Sequence, residues 1–273
     1  MATTRKPAAY TYHRFLDESG DMTFFDKHKN SIIGKDGVSL TFMIGMVRIK
    51  SDLNKVRARI EELERSVVTD PYFAGIPSIQ KREANGGFFF HAKDDIPEVR
   101  KIMYDYLRHE LSFSLEVIVA RKQEGIFNRQ HMGLESLFYA DILGHLLKSK
   151  LGQEGRLVLN IAERDKSTTH TNLQRALDSA KERYSNNPRN GSKPLRKEVS
   201  FNVQSPTREP LLAVPDYALW AVQRVFSKGE MRYYEVLKDK IPSVVDIYDR
   251  DRYKDWQNYY GRDHPLTRDN QLK

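Results

Sequence analysis

Apolar and polar positions change rhythm along this chain so that strand patterns alternate with helical ones. Tyr10, Tyr12, Arg14 and Leu16 interleave with His13, Phe15 and Asp17, a period of two that predicts a strand. Ser19 and Gly20 then turn the chain, and Asp21, Thr23, Phe24 and Phe25 predict a second strand returning from a hairpin. Residues 39–49 are apolar nearly throughout, as expected of a central strand buried on both faces. The rhythm next becomes helical: Leu53, Val56, Ile60, Leu63 and Val67 form one stripe, and Ser51 or Asp52 can cap it. Pro71, Gly75, Pro77, Gly86 and Gly87 mark residues 70–87 as a loop.

The alternation continues to residue 226. Residues 88–91 predict a short strand, 96–111 a helix (Val99, Ile102, Met103, Tyr106, Leu107) and 112–120 a strand. Residues 133–151 predict a helix on Leu134, Leu137, Phe138, Ile142, Leu146 and Leu147. A strand at 156–165, a helix at 171–184, a strand at 198–204 and a helix at 211–226 follow. A hairpin followed by alternating helices and strands predicts a single α/β domain over residues 10–228, a mixed sheet with helices on both faces. Residues 229–273 are expected to form a C-terminal helical, aromatic-rich extension. Its Tyr248, Tyr253, Trp256, Tyr259 and Tyr260 are expected to pack back on the domain, stacking on unpaired bases being the alternative. Residues 186–194 are rich in turn formers and read most simply as a solvated connector. The other reading is a phosphate-gripping flap, with Arg189, Lys193, Arg196 and Lys197 as nucleic-acid contacts.

Composition narrows the choice of partner. Lys and Arg number 45 against 37 Asp and Glu, a net charge of +8 that favours polyanions such as nucleic acid. The chain has no cysteine, which excludes disulfides, thiolate zinc sites and cysteine nucleophiles. Its start lacks the apolar core of a signal peptide, and no run approaches the ~18 apolar residues of a membrane span. A cytoplasmic protein with no membrane partner is expected.

Against that basic background, carboxylates gather where strands end. Asp17, Glu18 and Asp21 lie within five residues, a spacing that suits either a divalent cation or a tight acidic turn. In the strand at 156–165, Leu157, Leu159, Ile161, Glu163 and Asp165 share a face, so an apolar row ends in two acids. Charge continuing an apolar face is costly unless it is paired or metal-bound. Asp216 lies on one helical stripe with Leu212, Leu219, Trp220 and Gln223, which turns it inward, while Pro215 suits a first helical turn. His91 ends the Phe-Phe-Phe-His run, where a capping or core role is the usual one and catalysis the secondary one. No phosphate-binding Gly-x-x-x-x-Gly-Lys-Ser/Thr loop, dinucleotide Gly-x-Gly-x-x-Gly or zinc His-Glu-x-x-His pattern is present.

Three segments together, Phe-Leu-Asp-Glu-Ser-Gly-Asp at 15–21, Phe-His-Ala at 90–92 and Leu-Leu-Ala-Val-Pro-Asp-Tyr-Ala-Leu-Trp-Ala at 211–221, resemble the domain-of-unknown-function 3800 family. That family is similar to the RNase H-like superfamily, whose members hold two divalent metals with acids on the first strand, a later strand and a C-terminal helix. The resemblance covers residues 12–226 and implies an RNase H-like fold with Asp17 bridging the metals and Glu163 and Asp216 completing the site. Glu18, Asp21 and Asp165 would support it. Val214-Pro215 before Asp216 departs from the Gln or Ala usual there. A metal-dependent nuclease using Mg2+ or Mn2+ is the expectation, because two cations about 4 Å apart activate water and ease the leaving oxygen. The resemblance also suggests a bacterial or phage-defence setting and a protein partner or activator. The rival expectation is an inactive nucleic-acid- or protein-binding module on the same fold.

Overall fold

The computed structural model describes residues 10–152, 154–163, 168–190, 195, 198–253 and 255–273. The alternating run forms β1 (Thr11–Gly20) and the apolar run β2 (Thr41–Ile49). Three helices follow, α1 (Leu53–Thr69), α2 (Pro77–Ala84) and α3 (Pro97–His109), then β3 (Phe113–Arg121). Next come α4 (Glu124–His131), α5 (Glu135–Leu147), β4 (Arg156–Ala162), α6 (His170–Ser185) and β5 (Val199–Gln204). The long α7 (Ala213–Lys228) is followed by α8 (Arg232–Leu237), β6 (Ser243–Asp246), α9 (Arg250–Tyr253) and β7 (Tyr259–Tyr260).

The strands form one mixed sheet in the order β5-β4-β1-β2-β3-β6-β7. β1, β2 and β3 are antiparallel neighbours, while β4 runs parallel to β1 and β5 parallel to β4. Helices cover both faces, as the alternation predicts. Phe15, Met43 and Val47 point into a core built with α1, α3, α7 and α8. Leu16, Phe42, Ile44 and Met46 point into a second core with α4, α5 and α6. A period of two assigns neighbouring residues to opposite cores, so β2 is buried on both sides because it is central. Among the described residues no helix is long and apolar enough to cross a membrane.

Several local expectations differ from the fold. Asp21–Phe25 is not a strand; an isolated bridge between Phe25 and Ser31 is its sheet-like pairing. Its first residue is committed elsewhere, since the Asp21 carboxylate accepts from Ser39 N and Ser39 Oγ, both at 2.7 Å, and so closes the loop between β1 and β2. The presumed loop 70–87 contains α2, in which Pro77 starts the helix instead of breaking it. Residues 88–91 have no ladder partner, although Phe88, Phe90 and Ala92 alternate inward like a strand. Helix α4 has no apolar stripe long enough to announce it, and left-handed Met132 (φ +52°) and Gly133 (φ +67°) delay the start of α5 to Glu135. The C-terminal extension adds β6 to the sheet parallel to β3, with β7 at its edge. Tyr248 and Tyr260 pack inward as expected, but Tyr253, Trp256 and Tyr259 stay exposed.

Gly20 is needed where it stands. Its φ is +87°, and a Cβ there would lie 2.1 Å from the Thr41 carbonyl oxygen. No side-chain rotation relieves a clash with backbone, so β1 would have to separate from the start of β2. Gly20→Ala is expected to cost about 1–3 kcal/mol, seen as an earlier urea midpoint with the slope unchanged.

Candidate active site

The acidic motif at the end of β1 is divided by the sheet. Asp17 lies on the face of Phe15 and pairs in register with Gly45 of β2. A Cβ on Gly45 would come within 3.2 Å of Leu219 Cδ1, so the missing side chain lets α7 settle close to the sheet beside Asp17. Arg57 of α1 fixes the entry to α7 from the other side, gripping buried Glu209 through Nε and Nη2, both at 2.8 Å. The first turn of α7 therefore brings Asp216 against Asp17, and the two carboxyls are hydrogen-bonded. Two carboxyl groups can bond to each other only while one keeps a proton.

Asp216 is partly exposed and faces polar groups of β1 and of the 88–96 segment. Ala92 N–H donates to its Oδ2 at 2.7 Å. Burial and the nearby negative charge of Asp95 and Asp94 push its pKa up to about 7, against the bonds from Ala92 and Asp17. Asp17 Oδ1 is oriented by the Glu18 N–H at 2.8 Å. The 88–96 segment is locked to α7 at successive residues. Beside Asp216, the Tyr217 hydroxyl donates to Asp95, which also accepts from Arg82 Nη2 at 2.5 Å and from His91 N–H at 2.9 Å. Burial raises the Asp95 pKa despite these donors. The Phe-His-Ala segment thus belongs to the site through its backbone. The His91 ring is half-exposed and bonds Asp94 Oδ2 at 2.9 Å.

The remaining predicted residues lie elsewhere. The β1–β4 register pairs Leu16 with Ile161, so Ala162 comes alongside Asp17 and Glu163 alongside Glu18. Ala162 packs into the α7-side core, whereas Leu157, Leu159 and Ile161 enter the other core. The ladder continues through Glu163, whose N–H donates to Gln204 O at 2.9 Å. Strand alternation therefore turns exposed Glu163, with Glu18, to the face opposite Asp17 and Asp216. Asp21 pairs with Lys122 Nζ at 2.6 Å and serves the loop. Asp165, Lys193, Arg196, Lys197 and the Arg189 side chain lie outside the described residues. Among the described residues, no group of three or more His, Asp or Glu converges as a metal shell.

Three acids near the site went unremarked in the sequence. Asp94 and Asp95 follow Phe-His-Ala after the single residue Lys93, and that closeness was the available signal. Glu64, on α1, carries no such signal: it bonds the backbone of Phe90 and feels Asp95, and burial pushes its pKa up to about 7. No protein-family model, curated protein or solved structure matches the chain.

Proposed function

We propose that this protein is a divalent-metal-dependent phosphodiester hydrolase of RNase H-like design, acting on nucleic acid at the Asp17–Asp216 pair. The observation that carries the reading is that a first-strand carboxyl and a late-helix carboxyl meet, with the pKa of the second pushed up to about 7. Paired carboxyls that hold a proton near neutrality are a place where a cation can replace it. Mg2+ is commonly bound by one or two carboxylates, with water and substrate phosphate filling the rest of its shell. Asp17 and Asp216 fit that demand, and Glu163, on the opposite face, is left out of it. A bound Mg2+ or Mn2+ would supply Lewis acidity at the phosphoryl group and a more acidic water. The protein's own contribution is orientation: Glu18 N–H holds Asp17, and Ala92 N–H holds Asp216. The net positive charge favours approach of the polyanion.

One observation favours a second reading, the inactive binding module. Ala162 stands beside Asp17 at the position where a later-strand acid would join the pair.

The test is cleavage of single- and double-stranded DNA, RNA and a hybrid in Mg2+, Mn2+ or EDTA. Asp17→Asn is expected to lower the metal-dependent rate by about a thousandfold, as loss of a principal transition-state stabiliser does, with folding and nucleic-acid affinity kept. An unchanged rate in that variant would sink the hydrolase; binding without cleavage in any metal would move the conclusion to the module.

A further inference from the structure

A cavity of about 520 Å3 opens between α2 and the 88–96 segment, lined by Ser78, Lys81, Arg82, Asn85, Phe89 and Asp94. Its volume is that of a small-molecule site. The wall is continuous with the candidate active site: Asp94 lines the cavity and raises the Asp216 pKa, and Ala92, two residues earlier, bonds Asp216.

The lining combines the groups that hold a nucleotide. Phe89 stands half-buried between the buried Phe88 and Phe90. Its ring has the Arg82 guanidinium 5.7 Å from its centroid and the His91 ring at 6.4 Å. Arg82 is held by Asp95, Ser78 O and Phe89 O, so this wall is rigid before any ligand arrives. Lys81 is exposed and makes no ion pair among the described residues. Asn85 donates to Lys81 O through Nδ2, leaving its carbonyl oxygen as an acceptor.

We propose that this cavity is a nucleotide subsite that takes one unpaired base of the substrate onto Phe89, with Lys81 on an adjacent phosphate. The substrate class is then single-stranded nucleic acid, or a strand with an unpaired nucleotide, because a base inside a duplex cannot present its face to a side chain. This specificity rests on the proposed nuclease reading. The Asn85 carbonyl oxygen lies where it can accept from a polar edge of the base.

The test uses the full chain carrying Asp17→Asn, in EDTA, with fluorescently labelled single-stranded and duplex oligonucleotides read by anisotropy. Single strands are expected to bind at least tenfold more tightly than duplex. Phe89→Ala should weaken single-strand binding by about tenfold or more, the loss of one stacked base. Lys81→Ala should weaken it less and reduce the salt slope by about one. Phe89→Trp guards against loss through misfolding: it should keep the affinity, and its emission should be quenched by oligonucleotide. Equal binding of single strand and duplex, or an unquenched Phe89→Trp that binds normally, overturns the subsite. Metal-dependent cleavage with binding indifferent to Phe89 would leave the nuclease standing and remove this inference. Phe89-dependent binding without cleavage would keep the subsite and remove the nuclease.

Discussion

Asp216→Asn is expected to make the protein more stable at pH 8, by on the order of 3–4 kcal/mol, while abolishing metal-dependent cleavage. Burial beside Asp95 raises the Asp216 pKa from 3.8 to about 7. A raised carboxyl pKa means that the folded state binds the proton more tightly than the unfolded state. Stability therefore falls as pH rises from about 4 to about 7, and the full penalty applies above that range. Three pKa units at 1.36 kcal/mol each set the size. Asparagine removes the ionisation but keeps the geometry: its carbonyl oxygen can accept from Ala92 N–H, and its amide can donate to Asp17. The measurement is thermal unfolding of both proteins from pH 4 to pH 8. The two should converge near pH 4 and separate by several degrees at pH 8.

The same comparison tests the cation without relying on turnover. Millimolar Mg2+ or Mn2+ should raise the melting temperature of the parent at pH 8 through preferential binding to the folded state. The shift should shrink at pH 5, where the pair keeps its proton, and nearly vanish in Asp216→Asn. Cleavage should rise through pH 7 for the same reason. A parent melting temperature indifferent to both cations at pH 8 would count against Asp17 and Asp216 as ligands.

Asp21→Ala is the opposite case, a large loss of stability from an acid that belongs to the same sequence motif. The Asp21 carboxylate accepts from Lys122 Nζ at 2.6 Å, Ser39 N and Oγ at 2.7 Å and Thr23 N at 2.9 Å. Burial alone would raise its pKa, but the bonds from Lys122 and Ser39 outweigh that and hold it below the usual carboxylate value. The Lys122 side chain has no exposed surface and keeps Thr23 O at 3.0 Å as a neutral partner. Removing the acid from such a pair costs about 3–5 kcal/mol. Because the folded pKa is depressed, the contribution is present above the unfolded value of 3.8 and fades as pH falls below it. Urea unfolding at pH 7 should show the whole loss, and the difference from the parent should narrow below pH 4. The Mg2+-induced stabilisation should survive in Asp21→Ala, which separates its loop-closing part from the chemistry at Asp17.

These two acids show where local pattern is sufficient and where it is not. The period of two in residues 10–17 assigned Phe15 and Leu16 to opposite faces, and the long apolar run at 41–49 announced a central strand. The stripe on residues 53–67 announced α1 with Asp52 as its cap, accepting from Asn54 and Lys55 N–H. Those properties are local, set by where successive side chains point and by what a helix end requires, so the chain alone determined them. It also marked Asp17, Asp216 and the Phe-His-Ala segment, three pieces that the fold brings together.

Register and enclosure are not local. The alternation at 157–163 is the same whichever neighbour the strand pairs with. Only the parallel alignment of Leu16 with Ile161 decided that Ala162 would stand beside Asp17 and that Glu163 would face away. Whether Pro77 ended a loop or began α2 depended on Ile79 finding the core, and with α2 came the cavity over Phe89. The meeting of Asp17 with Asp216 required Gly45 to admit α7 and Ala92 to meet its first turn. The sequence by itself determined which residues could carry charge into the sheet; the tertiary structure decided which of them meet, because burial and proximity exist only once separate segments have packed.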